Sequence, residues 1–309
     1  MGPSEENDDH EVRLSDAGES PDVVTDTKRV IPDMGVASAD VVVSADITVP
    51  ADITVPADIT VPADITIPAD ITVAVDSTPT PTEGEIVFED GFESGDISAW
   101  RCSGNCPTAV TSPVFEGKYA GRFFLTPDMP IVYRTEAVVN GGMEFVFGKD
   151  YRIEMRYRYE DWEKDSLAES APMQVHTHPG SWDAECGLGS AYSTAPFFML
   201  SVDDKVRFVT YGGKILWEGA VEKKRWLTLV VYFRPSMGSD GYVEPWIEGV
   251  KLGRVEGLNS PKVDKCGLAM RDPYFKMGVY KWDWKRKVAE ATRRELFIDS
   301  VKISSIAAP

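Results

Sequence analysis

The chain has 309 residues and a formal net charge of −18, and that charge is lopsided. Residues 1–83 hold 18 acids against 3 bases, a net of −15, so the remaining 32 acids and 29 bases leave residues 84–309 at −3. The acidity therefore belongs to the leader, and with no basic tail or recognised binding motif nucleic acid is not an expected partner. No apolar run reaches the roughly 18 residues needed to span a bilayer, so no transmembrane segment is expected. Met1-Gly2-Pro3 opens without a basic n-region and an apolar h-region, so no secretion signal is present. A cytoplasmic protein and one whose signal was removed are the alternatives. A long acidic Thr/Pro/Asp leader suits a tether outside the cell better than a cytoplasmic tail, so an extracellular or cell-surface-tethered protein is the expectation.

Residues 1–38 are polar, acidic and aperiodic, a composition that predicts disorder. A six-residue repeat follows. After the degenerate first copy at Ala39 comes Ala45-Asp46-Ile47-Thr48-Val49-Pro50, and the unit recurs from Ala51, Ala57, Ala63 and Ala69. A hexapeptide β-helix is the sharper interpretation. Against it, a proline in most units removes ladder donors, no glycine turns the corners, and the run is too short to bury a core. An extended semi-rigid spacer, about 110 Å long at about 3.1 Å per residue, is the better expectation. Thr78-Pro79-Thr80-Pro81-Thr82 closes it, so the linker is placed at 1–83 and a single domain at 84–309.

Beyond the linker, apolar residues alternate with polar ones in short runs. Ile86 to Phe88 opens a first strand, followed by a turn over Gly91–Asp96. Further strands are expected over 119–125, 151–159, 197–202, 206–211, 226–234, 242–248 and 296–303. Only 284–295 looks helical. Many short strands separated by Gly, Pro and Asp turns, without alternating helices, predict an all-β fold: an antiparallel two-sheet β-sandwich of jelly-roll type. Four cysteines allow three pairings. Cys102–Cys106 and Cys186–Cys266 are preferred over buried free thiols, and the spacing does not suit a four-cysteine zinc site.

Two strands carry chemistry. In Pro172-Met173-Gln174-Val175-His176-Thr177-His178, alternation puts Gln174 and His176 on one face with Val175 opposite. In Tyr274-Phe275-Lys276-Met277-Gly278-Val279-Tyr280, the residues Tyr274, Lys276 and Tyr280 share one face while Phe275, Met277 and Val279 line the other. Side by side, the two strands would make a polar, basic floor over an apolar core.

Gln174-Val175-His176 resembles the Gln-x-His motif of alginate lyases and heparin-lyase-like polysaccharide lyases. The stretch from Tyr274 to Tyr280 is similar to their Tyr-Phe-Lys-x-Gly-x-Tyr strand, and Arg134-Thr135-Glu136 to the Arg-Ser/Thr-Glu segment that precedes both. The resemblance covers roughly residues 85–304 and implies the concanavalin-like, glucuronan-lyase-like sandwich. Three departures leave the polymer open among alginate, glucuronan and glycosaminoglycans. Arg134-Thr135-Glu136 runs into Ala137-Val138, Tyr280 is followed by Lys281-Trp282, and His178 has no counterpart.

The resemblance implies β-elimination on a uronate-containing anionic polysaccharide. Arg134 and Gln174 would hold the uronate carboxylate and stabilise the enolate-like charge that develops. His176, titrating near neutrality, would take the C5 proton. Tyr280 would protonate the departing O4, or serve as base and acid together in a syn geometry. Lys276 would lower the tyrosine pKa or bind substrate charge, and Tyr274 and His178 would complete the substrate contacts. Each residue has a structural alternative: a hydrogen-bonded histidine, packed strand aromatics, a surface ion-pair arginine. No cofactor is required. His176 and His178 with Asp183 or Glu185 is a weaker zinc arrangement, and Asp90, Glu93 and Asp299 are candidate ligands for a structural calcium joining the first and last strands. Among the tryptophans, Trp162, Trp182, Trp246, Trp282 and Trp284 are candidates for sugar stacking or core. A non-catalytic carbohydrate-binding module is the alternative function. A glycoside hydrolase is disfavoured, because Glu160-Asp161-Trp162-Glu163 lacks the Glu-x-Asp-x-x-Glu spacing of sandwich hydrolases. A monomer is expected.

Overall fold

The structure, a computed structural model, describes residues 83–178, 194–264, 266–286 and 289–306. In chain order the strands begin with β1 (Glu83–Asp90), β2 (Trp100–Gly104), β3 (Thr108–Val110), β4 (Ala120–Leu125), β5 (Arg134–Val139), β6 (Tyr151–Trp162) and β7 (Asp165–His178). They continue with β8 (Phe197–Asp203), β9 (Lys205–Thr210), β10 (Lys214–Ala220), β11 (Leu227–Arg234), β12 (Tyr242–Ile247), β13 (Val250–Lys251) and β14 (Val255–Glu256). The last two are β15 (Arg271–Tyr280) and β16 (Arg294–Ile306). One sheet runs β13-β12-β11-β6-β16-β4-β3, with β1 added on β16 and β14 on β12, and the other runs β10-β9-β8-β7-β15-β5-β2. The strand pairings are antiparallel, as the alternating patterns predict.

The alternation does what period two requires. On β6, Tyr151, Ile153, Met155, Tyr157 and Tyr159 are buried, while the intervening Arg152, Glu154, Arg156 and Arg158 line the outer face. There Glu154 pairs with both Arg152 and Arg156, and Arg158 with Glu160. Leu227, Leu229, Val231 and Phe233 of β11 pack into the same core, which is closed from the second sheet by Met173, Val175, Phe275, Met277 and Val279. Burying such side chains is worth about 1.5–3 kcal/mol each, and this fixes the register, since a one-residue slip would turn every one outward. The outer face of β7 and β15 is thereby set as well.

Pro172 lies inside the second sheet, where a missing donor would ordinarily disrupt the ladder. It sits where both ladders shift register: between Ser170 and Met173 against β8, and opposite the irregularity between Met277 and Tyr280 on β15. Gly278, within that irregularity, has φ 125°, and a Cβ there would lie 2.3 Å from the Thr135 carbonyl oxygen. Only glycine fits.

One expectation is corrected. The segment 284–295 is not a helix. Among the described residues it holds the end of a 3-10 turn, Trp282–Arg286, and the chain is extended again from Arg294. The cause is Asp165, whose carboxylate is fully buried and accepts the backbone N–H of Glu290 and Ala291. The same carboxylate is 2.6 Å from Lys281 Nζ, also fully buried, and together they bind this segment to the start of β7. The candidate calcium ligands Asp90, Glu93 and Asp299 are engaged in loop contacts. Asp90 accepts the N–H of Phe92 and the Trp100 indole, Glu93 accepts the N–H of Lys118 and Tyr119, and Asp299 accepts those of Phe115, Glu116 and Ser300. These carboxylates close loops onto β1 and β16. Among the described residues no group of three or more His, Cys, Asp or Glu is placed to hold a metal.

Cys102 and Cys106 are bonded, as expected. Cys266 is also in a disulfide, and Cys186, its expected partner, lies outside the described residues, as do Asp183, Glu185, Trp182 and the linker. Among the described residues no helix is long and apolar enough to cross a membrane.

Candidate active site

β15 is flanked by β7 on one side and β5 on the other, with β2 beyond β5. Register then decides which side chains meet on the outer face. Tyr274 stands opposite His176, Lys276 opposite Gln174, Tyr280 opposite Arg134, and Gly278 opposite Glu136. The expected polar floor exists and spans four strands. A cleft of about 380 Å³ opens on it, lined by Arg101, Ser103, Arg134, Val138, Gly142, Met143, Glu144, His176, His178, Tyr274 and Lys276.

Beneath the floor lies Glu136, 1% exposed, which the sequence analysis named within Arg134-Thr135-Glu136 without assigning it a role. Its Oε1 accepts a hydrogen bond from Gln174 Nε2 at 2.7 Å, and its Oε2 lies 3.2 Å from Arg134 Nε and 3.6 Å from Lys276 Nζ. Gln174 is therefore engaged below the surface: it positions the carboxylate and does not line the cleft. Arg134 Nε and Glu136 Oε2 are close without hydrogen-bond alignment, so Coulomb attraction is what links them. Gly104, at φ 89°, makes room for Arg134, since a Cβ there would lie 2.6 Å from the Arg134 carbonyl oxygen. The neighbouring Ser103 Oγ accepts from Arg134 Nη1 at 3.3 Å. The signal that could have found Glu136 is its i+2 spacing from Arg134 in an extended strand. Arg101 and Ser103, on a short polar strand without alternation, gave none.

His176 is held uncharged. Burial and the nearby Lys276 lower its pKa to about 3, with Arg134 and His178 adding smaller repulsions. Its Nδ1 is 2.6 Å from the Thr177 carbonyl oxygen. A carbonyl can only accept, so the neutral ring carries its hydrogen on Nδ1 and its lone pair on Nε2. His178 bonds Glu144 at 2.9 Å through Nδ1, and Glu144 also accepts from Arg271. Tyr274 packs between the two imidazoles, its ring 5.3 Å from that of His176 and 5.4 Å from that of His178.

Lys276 is lowered by burial, an effect opposed by Glu136. Of the two roles expected of Lys276, lowering a tyrosine pKa or binding substrate charge, the first is not seen among the causes that act on either tyrosine. Burial pushes Tyr274 up to about 12 and raises Tyr280, and the cation offsetting this at Tyr280 is Arg134. Both phenols are proton carriers at neutral pH. Tyr280 lies outside the cleft lining, at the Arg134 end, with its ring 4.9 Å from the Arg134 guanidinium carbon. The site thus runs along the strands from His178 to Tyr280, with Arg134 and Lys276 between.

The class defined by the fold is an antiparallel two-sheet sandwich, here with a cationic cleft, a neutral imidazole and two neutral phenols on one outer face. The particular family follows from sequence comparison: a family model described as polysaccharide lyase matches residues 92–302, and the chain belongs to that family. It is a polysaccharide lyase. Among solved structures it is similar to the endo-β-1,4-glucuronan lyase from the fungus Trichoderma reesei, with 18% identity over 71% of this chain and 95% of that one, at a TM-score of 0.54. It is also similar to a cellulose-induced protein, Cip1 (12% identity, 70% and 96% covered, TM-score 0.47). The alginate lyase Aly36B is a third (10% identity, 70% and 95% covered, TM-score 0.41). No curated protein matches in sequence.

Proposed function

We propose that this chain cleaves a uronate-containing anionic polysaccharide by β-elimination, leaving a 4,5-unsaturated uronate end. The observation that carries this reading is a neutral histidine among cations: His176 shares one cleft with Arg101, Arg134 and Lys276. The cations do two things at once. Lys276 and Arg134 add to burial in keeping the imidazole unprotonated, and the cations stabilise the dianionic, enolate-like charge that appears when the proton beside a carboxylate is removed.

In the proposed step the uronate carboxylate lies against Arg134 and Lys276, with Glu136 and Gln174 fixing both cations from below. His176 Nε2 takes the C5 proton, the C5 electron pair forms the C4–C5 double bond, and the C4–O4 bond breaks. Tyr280, beside Arg134, gives its phenolic proton to the leaving O4. A specific observation favours a second assignment of the acid: Tyr274 lines the cleft and packs on His176, whereas Tyr280 does not line it. The similarity to a glucuronan lyase and the linker composition support a uronate polymer met outside the cell by a tethered enzyme.

The test is ultraviolet absorbance of the unsaturated product with alginate, glucuronan, heparan sulfate and chondroitin sulfate. A signal on one polymer that is lost in His176→Ala is the expected result. Tyr280→Phe and Tyr274→Phe assign the acid, since the one that donates loses on the order of 10²–10⁴-fold in kcat. Binding of a polymer without any product would sink the elimination.

A further inference from the structure

Beyond Tyr280 the face continues into a group of side chains that the elimination does not use. Trp282 opens the 3-10 turn after β15, and at 37% exposure it is the tryptophan among the described residues that stands out from the surface. Trp162 and Trp284 are core. Tyr133, immediately before β5, meets Trp282 edge to face at 5.3 Å between ring centroids. The rings of Tyr133 and Trp282 each lie 6.2 Å from that of Tyr280. The three rings form one shelf, starting where the catalytic floor ends.

Two cations belong to the shelf. Arg134, shared with the floor, lies 5.3 Å from the Tyr133 ring and 4.9 Å from that of Tyr280. Lys285 Nζ lies 4.9 Å from the Trp282 ring and 5.4 Å from that of Tyr133. Lys285 is exposed and, among the described residues, makes no ion pair with a carboxylate. A surface lysine usually extends into water or finds an acid. Here the ammonium is held over two ring faces, which costs side-chain entropy and leaves its charge unneutralised. Aromatic rings offer an apolar surface for the carbon face of a sugar ring, and an ammonium supplies the counter-ion for its carboxylate.

We propose that Tyr133, Trp282 and Lys285 form a binding subsite for a second uronate residue of the same polymer, next to the one undergoing elimination. The proposal rests on reading this face as a uronate-polymer site. It adds a determinant of affinity and chain-length preference: a charged sugar stacked on Trp282 with its carboxylate at Lys285. A neutral polysaccharide would keep the stacking and lose the ion pair.

The experiment uses the full chain carrying His176→Ala, so that no turnover occurs, and measures binding by titration calorimetry. The probes are alginate and glucuronan, with hydroxyethyl cellulose as neutral control, each at low and high salt. Trp282→Ala should weaken binding of one uronate polymer on the order of tenfold, and Trp282→Phe should restore most of it. Lys285→Gln should weaken that binding by about two- to fivefold at low salt, with no effect at high salt or on the neutral polymer. With His176 intact, both substitutions should raise KM with kcat little changed. Folding is monitored by the melting temperature, which these exposed positions should leave in place. Unchanged binding in Trp282→Ala, or absence of any binding of the parent chain to either uronate polymer, overturns the subsite. If the intact chain cleaves neither polymer while the variants still weaken binding, the subsite stands and the elimination falls. If it cleaves and the variants bind as the parent does, the reverse holds.

Discussion

Replacing Glu136 by glutamine removes one negative charge from beneath the floor while keeping its volume and an acceptor for Gln174. In the native chain Glu136 Oε2 is 3.2 Å from Arg134 Nε and 3.6 Å from Lys276 Nζ, with Glu136 and Lys276 both buried. At an effective dielectric of about 20, unit charges about 4 Å apart attract by roughly 4 kcal/mol. Breaking a buried pair by removing one partner typically costs about 3–5 kcal/mol. For a domain of this size each kcal/mol moves the melting temperature by about 2–4 °C, so Glu136→Gln should melt about 6–20 °C lower at neutral pH. The deficit has a pH signature. Burial lowers the Lys276 pKa and Glu136 opposes this, so the variant's Lys276 releases its proton at lower pH still. Between that lowered folded pKa and the unfolded value of about 10.4, the unfolded chain binds more protons, and stability rises with pH. The variant's deficit should therefore shrink as pH rises from neutral to about 10. Thermal denaturation followed by circular dichroism across that range gives the answer. A melting temperature equal to wild type at neutral pH, or two curves running parallel into alkali, would refute the electrostatic role assigned to Glu136.

Three further predictions concern His176 and Lys281, two other buried titratable groups. His176, held down to about 3 against an ordinary 6.5, binds fewer protons folded than unfolded between those values. Stability should thus be lost as pH falls through 6.5 toward 3, by up to about 5 kcal/mol, and His176→Ala should flatten that acid slope. For the same reason kcat/KM of the folded enzyme should show no falling limb centred on 6.5; finding one would place the base elsewhere. Lys281→Met leaves Asp165 fully buried without its 2.6 Å partner, and should lower stability by about 3–5 kcal/mol. Urea unfolding would measure it, and a loss under about 1 kcal/mol would mean that the remaining partners of Asp165 suffice: the backbone N–H of Leu167, Ala168, Glu290 and Ala291, and Arg294 at 3.9 Å.

The sandwich was legible because period-two alternation is a local property. Tyr151 to Tyr159 and Tyr274 to Tyr280 announce which face is buried, and no distant residue can change that without exposing it. For the same reason the sequence by itself put Gln174, His176, Lys276 and Tyr280 on polar faces of their strands. It could not tell that β5 and β7 flank β15, because pairing partners lie about 90 to 150 residues apart and depend on how the apolar faces pack. The helix expected over 284–295 failed for a related reason: its polar and basic residues satisfy a helical pattern, yet the backbone N–H groups of Glu290 and Ala291 are taken by Asp165, more than a hundred residues earlier. Tertiary structure alone decided the contacts on this face. Gln174 bonds Glu136, Tyr274 rather than Tyr280 meets His176, and Arg101 and Ser103 enter from a strand with no signal of its own. Residue type and spacing fix what a side chain can do and which face it occupies. Register, burial and the charges brought alongside decide its protonation and its partner, and those are properties of the folded sheet.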